Sequence, residues 1–150
     1  MEFIRNFPFF SIIICMFSGI ISSVLSGKKA RNLCFCAVSI VTILSFCVLV
    51  YTVHTGEAYT YMMGHFPAPW GNEIRFGNLE AMMALVFCII MILCLIGGKK
   101  YLQNEINGFK ENLYYILINL LMSSLLALIY TNDIFTAYVF VEINTISACG

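Results

Sequence analysis

The run Leu33-Cys34-Phe35-Cys36-Ala37-Val38-Ser39-Ile40-Val41-Thr42-Ile43-Leu44-Ser45-Phe46-Cys47-Val48-Leu49-Val50-Tyr51-Thr52-Val53 contains no charged side chain, and Thr42, two serines and the terminal Tyr51-Thr52 are its only polar groups. A helix of about 20 apolar residues crosses the roughly 30 Å hydrocarbon core of a bilayer, so this run predicts a transmembrane helix. Three further stretches read the same way. Residues 7–25 carry no charge, residues 79–96 carry only Glu80 in the first turn, and residues 113–130 contain Asn119, Ser123 and Ser124. A fifth apolar stretch begins near Ile134 and is still running at Gly150. Across all 150 residues, 61% are hydrophobic and 11% charged, with a mean hydropathy of +0.90. Soluble domains run about 45–50% apolar and about 25% charged, so a soluble enzyme is excluded. Disorder, which needs low hydrophobicity and high charge, is excluded by the same figures. Eight basic residues balance eight acidic ones, which leaves no electrostatic footprint for nucleic acid. The expectation is an all-α integral membrane protein with four complete helices and the start of a fifth, and its first partner is the lipid bilayer.

The seven cysteines all lie inside apolar runs, with no C-x-x-C spacing. They read as small apolar residues, and neither a disulfide framework nor a metal site is expected. His54 and His65 are too far apart to suggest ligands. Residues 7–25 resemble a signal peptide only superficially: the apolar stretch is too long, Arg5 is balanced by Glu2, and no small-residue cleavage pattern follows. A retained anchor is expected.

Basic residues in the connections predict orientation. Residues 26–32 hold Lys28, Lys29 and Arg31, and residues 97–112 hold Lys99, Lys100 and Lys110. The connection 54–78 holds only Arg75 against Glu57 and Glu73, and Thr131-Asn132-Asp133 has no basic residue. Loops 26–32 and 97–112 are therefore expected to be cytoplasmic, with the amino terminus outside, in a multi-pass protein of the cell membrane. Within 54–78, Tyr59-Thr60-Tyr61-Met62 and Glu73-Ile74-Arg75-Phe76 have strand-like composition around Pro67-Ala68-Pro69-Trp70-Gly71. Either a short extracellular β-hairpin or an ordered loop with interfacial aromatics fits them.

One residue stands out against its surroundings. Glu142 lies nine residues beyond Asp133, which places it about 13 Å deeper along a helix, near the bilayer midplane. An ionised carboxylate facing lipid there costs at least about 2.5–3.5 kcal/mol. Glu142 is thus expected to sit in the bundle interior, neutral, paired or beside water. Burial raises the pKa of a carboxylic acid and a nearby cation lowers it, so a site where both act suits a proton relay. Tyr138, Thr145 and Cys149 share its helical face; Tyr138 and Thr145 are candidates for a supporting polar path, with Asn119 on the preceding helix. The other reading is a static ion pair holding a bundle together. Asn119, Ser123 and Ser124 also fit interhelical packing, and Glu80 fits a first-turn acid favoured by the helix dipole.

The run Tyr130-Thr131-Asn132-Asp133-Ile134-Phe135-Thr136-Ala137-Tyr138-Val139-Phe140-Val141-Glu142 resembles the helix-4/helix-5 signature of the antiporter-like subunits of respiratory complex I, membrane-bound hydrogenases and Mrp-type cation/proton antiporters. Met63-Gly64-His65-Phe66-Pro67-Ala68-Pro69-Trp70-Gly71 followed by Leu79 resembles the hairpin before their third helix. Asn72 and Gly77 depart from many relatives. The resemblance implies a fold of about fourteen transmembrane helices built from two inverted five-helix repeats, of which this chain is the amino-terminal part. It implies that Glu142 is the helix-5 glutamate, whose protonation is coupled to lysines on later helices beyond Gly150. The sequence therefore reads as an amino-terminal fragment. Other membrane subunits and protons or sodium ions are the implied partners. No cofactor is expected, since neither a nucleotide loop nor an Fe–S cysteine pattern is visible, and electron transfer would belong to partner subunits.

The functional expectation is a proton- or sodium-translocating membrane subunit that couples redox chemistry or ion exchange to cation transport through Glu142. The alternatives are an assembly subunit that moves no ion and a secondary transporter for a small solute. The latter more often shows mid-membrane helices broken by Gly or Pro, and the later helices contain no proline.

Overall fold

A computed structural model describes residues 2–62, 72–105 and 108–150. The elements in order are α1 (Glu2–Arg5), α2 (Phe7–Val24), α3 (Gly27–Thr55), β1 (Tyr59–Met62), β2 (Glu73–Phe76), α4 (Asn78–Glu105), α5 (Gly108–Tyr130) and α6 (Ile134–Cys149). Four segments are long and apolar enough to cross a membrane: Phe7–Val24, Gly27–Thr55, Asn78–Gly98 and Lys110–Tyr130. Apolar α6, at 16 residues, is shorter. Large apolar side chains such as Phe17, Ile43 and Leu93 stand more than half exposed on the outer surface. That is the arrangement of a multi-pass membrane protein, whose outer faces meet hydrocarbon rather than water.

Two helices start earlier than apolarity alone predicts. Helix α3 begins at Gly27, so Lys28, Lys29 and Arg31 lie in its first turns rather than in a loop. Ser26 takes an extended conformation, and its carbonyl accepts from Lys29 N at 2.8 Å and Ala30 N at 2.9 Å. Lysine and arginine are good helix formers, and their long stems lie along apolar surface while the charge reaches water. Helix α5 likewise starts at Gly108, and α4 runs on past Ile96 to Glu105. The 29 residues of α3 span about 43 Å, so its ends pass beyond the hydrocarbon core. It stops at Gly56, whose φ of 70° is left-handed and whose N–H donates to Thr52 O at 2.9 Å, a termination that glycine adopts without strain.

Helix α2 packs between α3 and α5, α3 carries α4 on its other side, and α6 rests mainly on α5. The core joins Ile12 and Cys15 of α2, Val41 and Val48 of α3, Ala81, Ala84 and Cys88 of α4, and Met122, Leu126 and Tyr130 of α5. The inward residues of α4 are small, which lets the neighbouring backbone approach. Ser11, Ser18 and Ser22 of α2 are buried, as are Asn119 and Ser123 of α5, and Ser123 Oγ donates to Ile12 O at 3.5 Å. Lipid offers no hydrophobic drive between helices, so close packing of small residues and such hydrogen bonds hold them.

The two ends differ. At one, Asn112 Nδ2 donates to Leu25 O, and a Cβ on Gly27 would meet Glu111 Oε2 at 2.5 Å. This close approach joins the α2–α3 connection to the start of α5 and gathers Lys28, Lys29, Arg31 and Lys110 at one end. At the other, β1 and β2 pair antiparallel in register Tyr59↔Phe76 through Met62↔Glu73, on the residues whose composition predicted strands. The intervening 63–71, including the Pro67–Trp70 segment and His65, lie outside the described residues. Tyr59 stacks on Phe76 at 5.8 Å, and Arg5 sits 4.4 Å over the Tyr59 ring. Thr131 bridges to Ile74, and Asn132 N donates to Glu73 O at 2.8 Å.

Candidate functional site

Helix α6 is launched from Asp133. Its Oδ1 accepts from Phe135 N at 3.4 Å, and its Oδ2 accepts from Thr136 N at 3.1 Å and Thr136 Oγ1 at 2.8 Å. This N-cap satisfies donors that a helix start otherwise leaves without partners. The same bonds hold the Asp133 carboxyl below the usual carboxylate range, the Thr136 hydroxyl contributing most.

From that start, one face of α6 meets α5 through half-buried Phe140, Ile143 and Asn144 and buried Ser147. Ser124 Oγ of α5 donates to Leu121 O at 2.9 Å and reaches Asn144 Oδ1 at 3.5 Å. The opposite face carries Tyr138, Val139, Val141, Glu142, Thr145 and Ile146, all exposed. Glu142 is therefore mid-helix, yet it points away from the bundle that the described residues build, contrary to the expectation of an interior carboxyl. Residues 134–149 are apolar nearly all round, so their periodicity does not say which face turns inward; packing against α5 alone selects it.

The structure brings three of the sequence-derived candidates together. The Tyr138 hydroxyl interacts with the Glu142 carboxyl one turn away. Thr145 sits on the same face, but its Oγ1 donates to the backbone O of Glu142 at 2.8 Å, so this hydroxyl is engaged by its own helix. Asn119 is elsewhere: buried where α5 meets α2, it donates from Nδ2 to Tyr115 O at 3.0 Å and lies beside Cys34. Its Oδ1 has no partner among the described residues. Asn144, which ties α6 to α5, was not singled out by the sequence. No sequence signal pointed to it, because a residue two positions from Glu142 falls on the opposite helical face, which an interior carboxyl would turn outward. Glu80 receives Gly77 N at 2.9 Å through Oε2, closing the start of α4 in the manner of a capping box.

Among the described residues no group of three His, Cys, Asp or Glu is placed to hold a metal ion. Cys15, Cys34 and Cys88 are buried, and Cys36, Cys47, Cys94 and Cys149 face outward. What the α6 face offers is one carboxyl and one phenol in an apolar strip.

No family model matches the chain. NADH-quinone oxidoreductase subunit N of Desulforudis audaxviator (strain MP104C) is 29% identical over 100 residues, which is 67% of this chain and 20% of that protein. Among solved structures, the membrane-bound sulfane sulfur reductase (MBS), an archaeal respiratory membrane complex, contains a chain that superposes with a TM-score of 0.80 at 22% identity. The match covers 99% of this chain and 29% of that one. The chain thus spans about a fifth of the curated relative's length. A sequence match to a subunit of NADH-quinone oxidoreductase and a fold match, over nearly the whole chain, to a chain of a respiratory membrane complex thus agree with each other.

Proposed function

We propose that the chain belongs to an ion-translocating membrane complex and that Glu142 is its proton-exchanging group, with protons or sodium as the transported ion. One observation carries the reading: a carboxyl stands mid-helix on the exposed apolar face of α6, with Tyr138 against it. Such a face in a membrane needs a neighbour, because a charged group exposed to hydrocarbon is costly. The neighbour is a helix from outside the described residues that brings a cation to Glu142. Approach of the cation favours the carboxylate and its withdrawal favours the neutral acid. A movement that alternates the two, driven by redox chemistry or ion exchange elsewhere in the complex, then takes up a proton on one side and releases it on the other. Tyr138 holds the carboxyl and hands its proton to water. Asn119, enclosed between α2 and α5, serves helix packing instead. The basic end of the bundle is the cytoplasmic one, which puts the strand end and the amino terminus outside.

The test is proton flux in membrane vesicles carrying the native complex, wild type against Glu142→Gln, with subunit assembly followed in parallel. Loss of flux with assembly intact is the expected result. Normal flux in the variant overturns the proposal. Loss of assembly together with flux would instead favour the second reading, in which the same exposed carboxyl makes a static pair that docks a partner helix.

A further inference from the structure

We infer that the groove between α3 and α4 is a seat for one anionic phospholipid. It encloses about 570 Å³ and is walled by Phe35, Leu95 and Ile96, with Arg31 and Asn32 at one end and Ser39 at the other. On α3 the lining residues recur at one-turn spacing, so the groove follows a single helical face from Arg31 to Ser39. That is a length of about 12 Å, running from the basic end of the bundle toward its middle. The walls are the apolar surfaces that face hydrocarbon: Phe35 is 42% exposed and Ile96 56%.

The charge at the groove's mouth has no partner among the described residues. Arg31 Nη1 is buried with no hydrogen-bond acceptor among the described residues. Glu111 lies against Gly27 and makes no ion pair with it. A buried guanidinium N–H left unpaired is costly, and a phosphate oxygen satisfies it in the forked geometry arginine favours. Lys28 and Lys29, one turn earlier and exposed, add positive charge where the headgroup would sit. A phosphate at the polar end and an acyl chain along Phe35 and Leu95 complement the groove throughout, whereas a free phosphate would leave its apolar length empty. Basic pockets between membrane helices are suited to anionic lipid, and the surplus of positive charge selects a net-negative headgroup over a zwitterionic one.

The chain purified in a zwitterionic detergent, examined by native mass spectrometry, tests this with two lipids of identical acyl chains. Phosphatidylglycerol is expected to be retained at one copy per chain and phosphatidylcholine to be lost under the same activation. Arg31→Gln should weaken phosphatidylglycerol retention about tenfold, the loss of one charge-assisted contact, and Arg31→Lys should restore part of it. Ser39→Trp, which fills the groove and keeps the charge, should also displace the lipid. Equal retention of both lipids by the wild type overturns the inference, as does retention unchanged in both Arg31→Gln and Ser39→Trp. Displacement of the lipid by inorganic phosphate at equal concentration overturns it too, in favour of a simple anion site. Circular dichroism checks that each variant folds, and the wild-type comparison of the two lipids decides even if a variant does not.

Discussion

Asp133 shows how a single side chain can set a whole face. Its three hydrogen bonds to the first turn of α6 fix where that helix begins, and with it the angular position of Glu142. Asp133→Ala should lower the thermal midpoint in detergent, and the effect should depend on pH with a definite sign. The folded carboxyl titrates below its ordinary value, so its contribution is complete above the unfolded pKa of about 3.9 and is lost as pH falls through the folded value. The midpoint difference between wild type and variant should therefore be constant at neutral and mildly acidic pH and vanish in strong acid. A difference that instead grew on acidification would contradict the cap. Glycine matters at two positions for different reasons. At Gly56 a side chain would meet nothing within 4 Å, so Gly56→Ala should cost about 1 kcal/mol through left-handed backbone strain alone. At Gly27 the obstacle is the Glu111 side chain. Gly27→Ala should lower the midpoint, and a Glu111→Ala background should remove most of the loss, a coupling that a double-mutant cycle measures.

Among the five long helices, α6 is the one held least, resting mainly on α5. Its cross-helix hydrogen bond, Ser124 to Asn144, is long at 3.5 Å, and such bonds in membrane proteins average about 0.6 kcal/mol. Ser124→Ala should thus leave the midpoint nearly unchanged, whereas Phe140→Ala, which empties the α5–α6 and core contact, should cost about 3 kcal/mol; denaturation in detergent separates the two. The same element marks the limit of what could be read from residues alone. The four spans were legible, because long uncharged runs have one physical outcome in such a chain. The strand pair was only one of two readings, because the same aromatic and β-branched residues also suit an ordered interfacial loop. The helix starts in the basic segments were not legible, because lysine and arginine favour the helix while also signalling a boundary. The orientation of Glu142 was not legible either: with apolar residues on every side of α6, only contact with α5 chooses the inward face. Asn119 was ambiguous for a related reason, since a buried amide serves packing or a polar path equally well until its neighbours are known.

For the molecule as a whole, the separation of the basic end from the strand end predicts sidedness that labelling can read. In intact cells, Asn132→Cys should react with a membrane-impermeant maleimide and Lys29→Cys should react only after permeabilisation. The native cysteines lie within apolar runs, where an impermeant reagent does not reach. Reversed labelling would invert the topology while leaving the fold as described. The same arrangement of helices recurs in a chain of a respiratory membrane complex, with a TM-score of 0.80, and on the proposed function the exposed strip on α6 is where the bundle meets its next neighbour.

The clasp of α2 between α3 and α5 also orders events during synthesis. The Ile12 and Gly19 side of α2 finishes against Ser123 and Asn119 of α5, residues that emerge from the ribosome about 100 positions later, or roughly 5–20 s at typical elongation rates. For that interval α2 waits at the insertion machinery with this side uncovered. Slowing translation between α3 and α5 should therefore prolong exposure of the nascent chain to quality-control proteases more than slowing it afterwards.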